Sequence, residues 1–187
     1  LEIMERLRVS GSFLIDVLSP KRLQSRVFEL AGMPKQTLFD ERGKCMVLSS
    51  IIEAQKDELS VYRGAAQNGS SGFTARVSNM IASLKRSGLS AADVARSAES
   101  MDADSPARAK LGDIARIYAA YEQRMAGELA DAEDISREMC ARFETSGVFK
   151  GQNVFVYGFD MITPTFAAEL LSIAPLCRTL TLAIETD

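Results

Sequence analysis

Hydrophobic and polar positions repeat with a helical period over most of the chain. Behind the pair Ser105-Pro106, a favourable N-cap followed by a first-turn proline, apolar side chains recur at steps of three or four. They are Leu111, Ile114, Ile117, Tyr118, Tyr121, Met125 and Leu129. Similar stripes predict two earlier helices, one with Phe39, Val47, Leu48, Ile51 and Ile52, the other with Phe73, Val77, Met80, Ile81 and Leu84. Shorter helices are predicted over 91–100, capped by Ser90, and over 133–144.

The pattern differs near both ends of the chain. Residues 153–159 (NVFVYGF) and 178–185 (RTLTLAIE) are predicted strands, separated by a helix with Thr163 at its N-cap and Pro164 at its first position. Strand, helix and strand in this order form the βαβ unit of a parallel sheet. Residues 12–19 (SFLIDVLS) predict another strand, followed by a helix from Ser19-Pro20 to about residue 30.

These elements predict an α/β fold, a parallel sheet with a large, mainly α-helical insertion. Residues 1–32 and 151–187 would form the sheet domain, and residues 33–150 the inserted helical subdomain. The insertion is much longer than an ordinary connection between a strand and a helix, so we expect a subdomain of its own. Residues 64–72 (GAAQNGSSG) predict a loop.

Composition narrows the class of protein. A hydrophobic content of 47% with 25% charged residues is typical of globular proteins. Since neither a long apolar run nor a signal peptide is recognisable, we expect a cytoplasmic protein that does not contact membranes. Cys45, Cys140 and Cys177 are far apart and form no CxxC pair, which favours reduced thiols over a disulfide framework or zinc site. The chain begins at Leu1 and ends at Asp187 after an apolar run, so we expect a segment of a longer protein.

Histidine is absent, which excludes serine-histidine and cysteine-histidine catalysis. Carboxylates remain as candidate acids, bases or magnesium ligands. The pairs Glu133-Asp134 and Asp102 with Asp104 have no partner at metal-ligand spacing, and we interpret them as caps and solvated loops. A net charge of −3 disfavours non-specific nucleic-acid binding by the whole surface, although a local basic stripe remains compatible with it.

The order of these segments resembles the RecA-like domain of superfamily 1 helicases, with a helical insertion ahead of the Walker B strand. A closer resemblance is to the AddB/RexB-type subunit of bacterial ATP-dependent helicase-nucleases, whose Walker B equivalent resembles G-F-D-x-F-T-P. The matching positions are Gly158, Phe159, Asp160, Thr163 and Pro164. Further family-like segments are Gly72-Phe73 and residues 84–90, 110–125 and 131–134.

The resemblance implies a partial RecA-like sheet with a degenerate Walker B position. A working Walker B strand ends in an Asp that holds magnesium and a Glu that polarises water, whereas Tyr157 and Gly158 stand at those positions here. Asp160 could be a retained metal ligand, but a capping residue in the turn is the simpler interpretation. The phosphate loop GxxxxGK is also absent from this chain. We therefore predict a non-catalytic fragment without a cofactor of its own.

For the parent protein the resemblance implies ATP and magnesium, an iron-sulfur cluster in a nuclease domain, and a motor helicase-nuclease subunit (AddA/RexA-like) as partner. The implied role of this fragment is to guide DNA and to scaffold the motor subunit in double-strand break repair by homologous recombination. Lys21 and Arg22 occupy the position of a helicase motif that touches the DNA backbone, and Lys85 and Arg86 are further candidate phosphate contacts. A solvated helix face explains the first pair equally well, and complementation of a helix dipole explains the second.

Three alternatives stay open at this point. Tyr118 and Tyr121 could stack nucleobases, although their place on an apolar stripe favours the core. The chain could be a helical protein-interaction module whose last strands merely resemble a helicase. It could also be a stand-alone single-stranded DNA-binding domain.

Overall fold

A computed structural model describes residues 15–67, 71–159 and 161–183. Its helices are α1 Pro20–Ala31, α2 Glu41–Gln55, α3 Arg63–Gln67, α4 Ser71–Arg86, α5 Ala91–Glu99, α6 Pro106–Met125, α7 Ala132–Ala141, α8 Phe143–Ser146 and α9 Pro164–Ile173, with a 3-10 turn at Lys56–Glu58. Its strands are β1 Thr37–Leu38, β2 Leu129–Ala130, β3 Asn153–Val156 and β4 Thr179–Leu182. The described part of the chain is therefore α/β and mostly helical, with two small parallel sheets.

Polar side chains cap several helices, and the sequence predicts three of these caps, Ser19, Ser90 and Thr163. Ser105, the predicted cap of α6, makes no side-chain hydrogen bond to that helix. The Ser19 hydroxyl accepts the Arg22 N–H ahead of α1, and the Thr163 hydroxyl accepts the Phe166 N–H ahead of α9. Helices α5 and α7 each begin with a reciprocal capping box, formed by Ser90 with Asp93 and by Asp131 with Asp134. These helix starts are determined locally, because each cap lies within three residues of the amide it binds.

The predicted βαβ unit is confirmed. Strands β3 and β4 pair in parallel, with Asn153 opposite Thr179 and Val156 opposite Leu182, and α9 is the crossover between them. The strand predicted at 12–19 is not observed at residues 15–19, which have no regular structure, and residues 12–14 lie outside the described part.

A second parallel pair joins residues 37–38, for which the sequence predicts no element, to Leu129–Ala130. Leu129 is the last apolar residue of the stripe that predicts α6, but that helix ends at Met125, and Gly127 with a φ of 92° follows. Strands β1 and β2 pair Thr37 with Leu129 and Leu38 with Ala130. The Thr37 N–H donates to the Glu128 carbonyl at 2.8 Å, and the Phe39 N–H donates to the Ala130 carbonyl at 2.9 Å. Strands of two residues are too short for a hydrophobic period, so no local pattern could have predicted this pairing.

The buried side chains form two hydrophobic cores. The first lies among α2 to α6, which we call the helical lobe (residues 41–125), and contains Leu48, Ile52, Leu59, Ala66, Phe73, Val77, Ile81, Ala91, Val94, Ile114, Ala115, Ile117, Tyr118, Tyr121 and Met125. The second joins α1 and Ala130 of β2 to residues 131–183, and we call α1 together with residues 131–183 the sheet lobe. This core contains Val27, Phe28, Ala130, Ile135, Met139, Phe143, Phe149 and Ile173.

Helices α7 and α8, which the predicted insertion 33–150 includes, contribute to the second core. Their apolar side chains Ile135, Met139 and Phe143 pack with α1 and β3 of the sheet lobe. The sequence does not indicate this packing, because an amphipathic helix shows which face it buries and not what it packs against. Two predicted elements differ from the structure. Residues 64–72 are a predicted loop, but α3 occupies 63–67, and 68–70 lie outside the described part. The helix predicted over 133–144 is interrupted at Arg142.

Asp113 on α6 holds a loop of the helical lobe in place. Its buried carboxylate accepts the backbone N–H groups of Ser60 at 2.9 Å, Val61 at 2.8 Å and Tyr62 at 2.9 Å. Each of these amides would otherwise lack a partner, since α3 begins only at Arg63. The carboxylate thus supplies the acceptors that connect the 3-10 turn to α3.

We expect Asp113→Ala to lower the free energy of unfolding by about 3 kcal/mol, because it leaves several partly buried N–H groups without an acceptor. Asp113→Asn keeps one acceptor oxygen and should lose less. Urea unfolding followed by circular dichroism measures both. The exposed Asp102→Ala is the matched control and should stay within about 0.5 kcal/mol of the parent; equal losses for Asp102→Ala and Asp113→Ala would contradict the assignment.

Candidate functional site

The carboxyl end of β3 is the edge at which parallel α/β sheets ordinarily bind ligands. Strand β3 ends at Val156, and Tyr157 follows with a side chain that is 69% exposed. Gly158 has a φ of 79°, in the left-handed region. Asp160, the third residue of the predicted degenerate Walker B position, lies outside the described residues.

Neither described residue at this edge carries a carboxylate. A phenol and a glycine cannot hold magnesium or accept a proton from water at neutral pH. A glutamate at 158 would also have to adopt the left-handed backbone, which costs a residue other than glycine about 1–2 kcal/mol. Within 15–67, 71–159 and 161–183, no group of three or more acidic or cysteine side chains is placed to hold a metal ion.

The surface around this edge is apolar. Phe159 and Phe166 stack with ring centroids 4.4 Å apart, which links the loop after β3 to the first turn of α9. Phe155 on β3 and Met161 in the loop are both more than 70% exposed. Because parallel sheets are usually covered on both faces, this open face of the two-stranded sheet is unusual for a complete α/β domain.

The four predicted phosphate contacts fall into two different environments. Lys21 and Arg22 are exposed on the first turn of α1. Arg86, at the end of α4, is half-exposed and donates to Glu133 at 2.9 Å. Lys85 is buried and binds the carboxylates of Asp131 at 2.7 Å and Asp134 at 2.8 Å, so its ammonium is directed to the protein interior.

Lys85 belongs to a group of six charged residues that we call the charge cluster: Lys44, Lys85, Arg86, Asp131, Glu133 and Asp134. Asp131 lies at its centre with a side chain only 2% exposed, and it also accepts the Tyr121 hydroxyl at 2.9 Å. The Lys44 ammonium is 3.7 Å from Asp131 and 3.5 Å from Glu133. Within the cluster three cations therefore face three anions, which a buried position requires. The exposed Arg137 on α7 adds a further contact to Asp134 at 3.6 Å.

The cluster shifts the pKa values of its central groups. Burial raises the pKa of the Asp131 carboxyl, but the hydrogen bond and charge of Lys85 outweigh it and lower that pKa to about 2. Burial and the neighbouring Asp131 carboxylate raise the pKa of Tyr121. Asp131 is thus an anion and Tyr121 a neutral donor over the physiological range.

The cluster corrects one interpretation of the sequence and confirms another. Asp134 is part of a helix cap, as predicted, but Glu133 and Asp134 do not lie in a solvated loop, because Lys44, Lys85 and Arg86 bind them. Tyr118 and Tyr121 are core residues, at most 1% exposed, so their rings are not available to stack bases.

A sequence signal for the cluster did exist. Lys44 precedes Leu48 by four residues and Lys85 follows Ile81 by four, which places both lysines on buried helix faces. A lysine on such a face needs an anionic partner. Its identity could not be read locally, because Asp131 is 46 residues from Lys85.

Comparison with known proteins gives a consistent result over the whole chain. The family model described as "ADDB, N-terminal" matches residues 1–187. The B subunit of the ATP-dependent helicase/deoxyribonuclease of Moorella thermoacetica is 29% identical over 191 residues, which covers 100% of this chain and 16% of the relative. The proteins of the same name from Bacillus anthracis and Bacillus cereus strain AH187 are each 30% identical over 162 residues, covering 83% of this chain and 14% of the relative.

This chain thus spans about one sixth of the length of the relatives it matches. In the part of the chain that the structure describes, no helix combines the length and the apolar character needed to cross a membrane.

The charge of Asp131 predicts a specific dependence of stability on pH. Lowering the pKa of Asp131 from 3.8 to about 2 contributes about 2 kcal/mol to the free energy of unfolding. This contribution is fully present above about pH 4 and is lost as the pH falls to about 2, where the carboxylate of the native state is protonated. Urea unfolding of the parent and of Asp131→Asn should therefore differ at pH 6 and converge towards pH 2. A difference that does not change between pH 6 and pH 2 would show that the charge is not responsible. Asp102→Asn, at an exposed position, is the control and should match the parent at every pH.

Proposed function

Because this chain belongs to the AddB N-terminal family, we propose that it is the inactivated helicase-like part of the AddB-type subunit of an ATP-dependent helicase-nuclease. In this proposal the βαβ unit is part of a RecA-like sheet and the helical lobe is its insertion. The fragment acts in the cytoplasm without catalysing a reaction itself. Its task is to guide DNA and to scaffold the motor subunit during double-strand break repair by homologous recombination.

The observation that carries the proposal is the chemistry at the carboxyl end of β3. In the proposed alignment Tyr157 and Gly158 take the positions at which ATP hydrolysis needs two carboxylates, and the left-handed backbone at Gly158 disfavours any replacement by glutamate. A subunit that has lost these groups but keeps the surrounding elements is suited to binding and positioning. ATP hydrolysis then falls to the partner subunit.

The name of the relatives supports the existence of a partner. They are called the B subunit of a helicase/deoxyribonuclease, which implies at least one other subunit. The exposed apolar side chains around β3, with Phe155, Tyr157 and Met161 all more than two-thirds exposed, also favour protein contacts near this edge over a free surface.

We expect Tyr157→Ala in the AddB-type subunit to leave the magnesium-dependent ATPase rate of the assembled complex within about twofold of the parent, since hydrolysis takes place elsewhere. The matched control is an alanine substitution of the Walker B aspartate in the motor subunit, which should abolish hydrolysis. An ATPase activity of the purified 187-residue chain that disappears with Tyr157→Ala or Asp160→Ala would overturn the inactive-helicase proposal.

DNA guidance by α1 predicts a measurable change in the salt dependence of binding. If Lys21 and Arg22 contact phosphates of single-stranded DNA, Lys21→Ala with Arg22→Ala should reduce the slope of log affinity against log salt by about 1.4. Fluorescence anisotropy with a single-stranded oligonucleotide measures this slope. Lys110→Ala with Arg124→Ala removes the same charge from exposed positions of α6 and is the control. Equal slopes for both double variants would contradict a phosphate contact at α1. If no binding to the oligonucleotide were detected, DNA guidance would be ruled out and scaffolding would be the one role left.

A further inference from the structure

The two lobes are connected in a way that differs from their internal packing. The chain crosses between them twice, at residues 32–40 and 126–131, and the two crossings pair with each other as β1 and β2. Each lobe has its own hydrophobic core, and β2 of the ribbon contributes to both, with Leu129 packed on the first core and Ala130 in the second. The ribbon is therefore a short, narrow connection between two separately packed bodies.

Across the remaining lobe interface, charges make the principal contacts. Every cation of the charge cluster belongs to the helical lobe, Lys44 on α2 and Lys85 and Arg86 on α4. Every anion belongs to the start of α7 in the sheet lobe. Two hydrogen bonds add to these contacts. The Tyr121 hydroxyl donates to Asp131 at 2.9 Å, and the Thr165 hydroxyl donates to the Arg86 carbonyl at 2.6 Å, which connects α9 to the end of α4.

A cleft separates the lobes beside the cluster. Its volume is about 600 Å³, and it is lined by Tyr118, Glu122 and Met125 from the helical lobe and by Ile135, Arg137 and Glu138 from the sheet lobe. Because the cleft mixes charged with apolar side chains, apolar burial alone does not hold the lobes together.

We propose that the β1-β2 ribbon is a hinge and that the charge cluster is a clasp that holds the helical lobe closed on the sheet lobe. With the clasp intact, Lys85 and Lys44 compensate the charge of Asp131, Lys85 and the exposed Arg137 compensate that of Asp134, and the cleft stays at its present width. Without the Lys85 charge, two neighbouring carboxylates are left with too little compensation, and opening about the ribbon lets water solvate them. The loop after β3 moves with the sheet lobe, so the clasp also determines how this edge faces the helical lobe.

Lys85 lies over the ring of Tyr121 in the first core, so the substitution must remove its charge and keep its length and apolar stem, as methionine does. Hydrogen exchange measured by mass spectrometry on the 187-residue chain then distinguishes opening from unfolding. In Lys85→Met we expect exchange to accelerate at least tenfold in peptides covering 36–40, 84–90 and 127–135. Peptides from the middle of α6 and from α8 to β3, which lie within the two cores, should keep the exchange rates of the parent.

A second substitution tests whether charge is the cause. Adding Asp134→Asn to Lys85→Met restores the balance of cations and anions within the charge cluster. The asparagine keeps an oxygen that can accept the Asp131 N–H. The double variant should therefore recover most of the protection from hydrogen exchange that Lys85→Met loses. Lys56→Met removes a lysine paired with Glu53 within the helical lobe and should change none of these peptides.

Two results would overturn the clasp. If hydrogen exchange in Lys85→Met accelerated throughout both cores and Asp134→Asn did not reverse the change, the two lobes would form one cooperative unit that includes Lys85. Unchanged exchange in the cleft and ribbon peptides would show that the lobes do not depend on the cluster. If Lys85→Met does not fold, Glu133→Gln takes its place, because it weakens only the contacts to Lys44 and Arg86. We then expect exchange to accelerate in the same peptides, by a smaller factor.

Discussion

A carboxylate that is almost completely buried needs compensating charge, and Asp131 meets this requirement with residues from the other lobe. Its partners are Lys44, Lys85 and Tyr121, which come from three different helices. Removing water from a single carboxylate is costly, so these helices can pack around it only in arrangements that keep the cations in reach. The position of α7 relative to α2, α4 and α6 depends on this interaction.

The same residue connects local and long-range structure. One oxygen of Asp131 caps α7 by accepting the Asp134 N–H at 3.0 Å, while the other receives Lys85 and Tyr121. The start of α7 is therefore fixed at the place where the chain leaves the helical lobe after β2. Since α7 then packs against α1 and the sheet, the charge cluster positions the helical lobe relative to the edge at Tyr157 and Gly158.

The edge and the cluster have opposite chemical character. At the edge there are a phenol, a glycine and exposed apolar side chains. The carboxylates of Asp131 and Asp134 lie instead between the lobes, and that of Asp113 lies in the helical lobe, where they bind lysines and backbone amides. These three carboxylates therefore hold elements of the chain together, and the edge carries none of them.

By itself the sequence determined the elements that depend on neighbouring residues, together with the family. Caps such as Ser19, Ser90 and Thr163 act within one helical turn, the helical period shows which face is buried, and the motif around Gly158 and Phe159 identified AddB. Only the tertiary structure decided that β1 pairs with β2, that α7 and α8 pack with the sheet, and that Lys85 binds Asp131. These depend on contacts between segments far apart in the chain, and a helical or strand period contains no information about which distant segment supplies the partner.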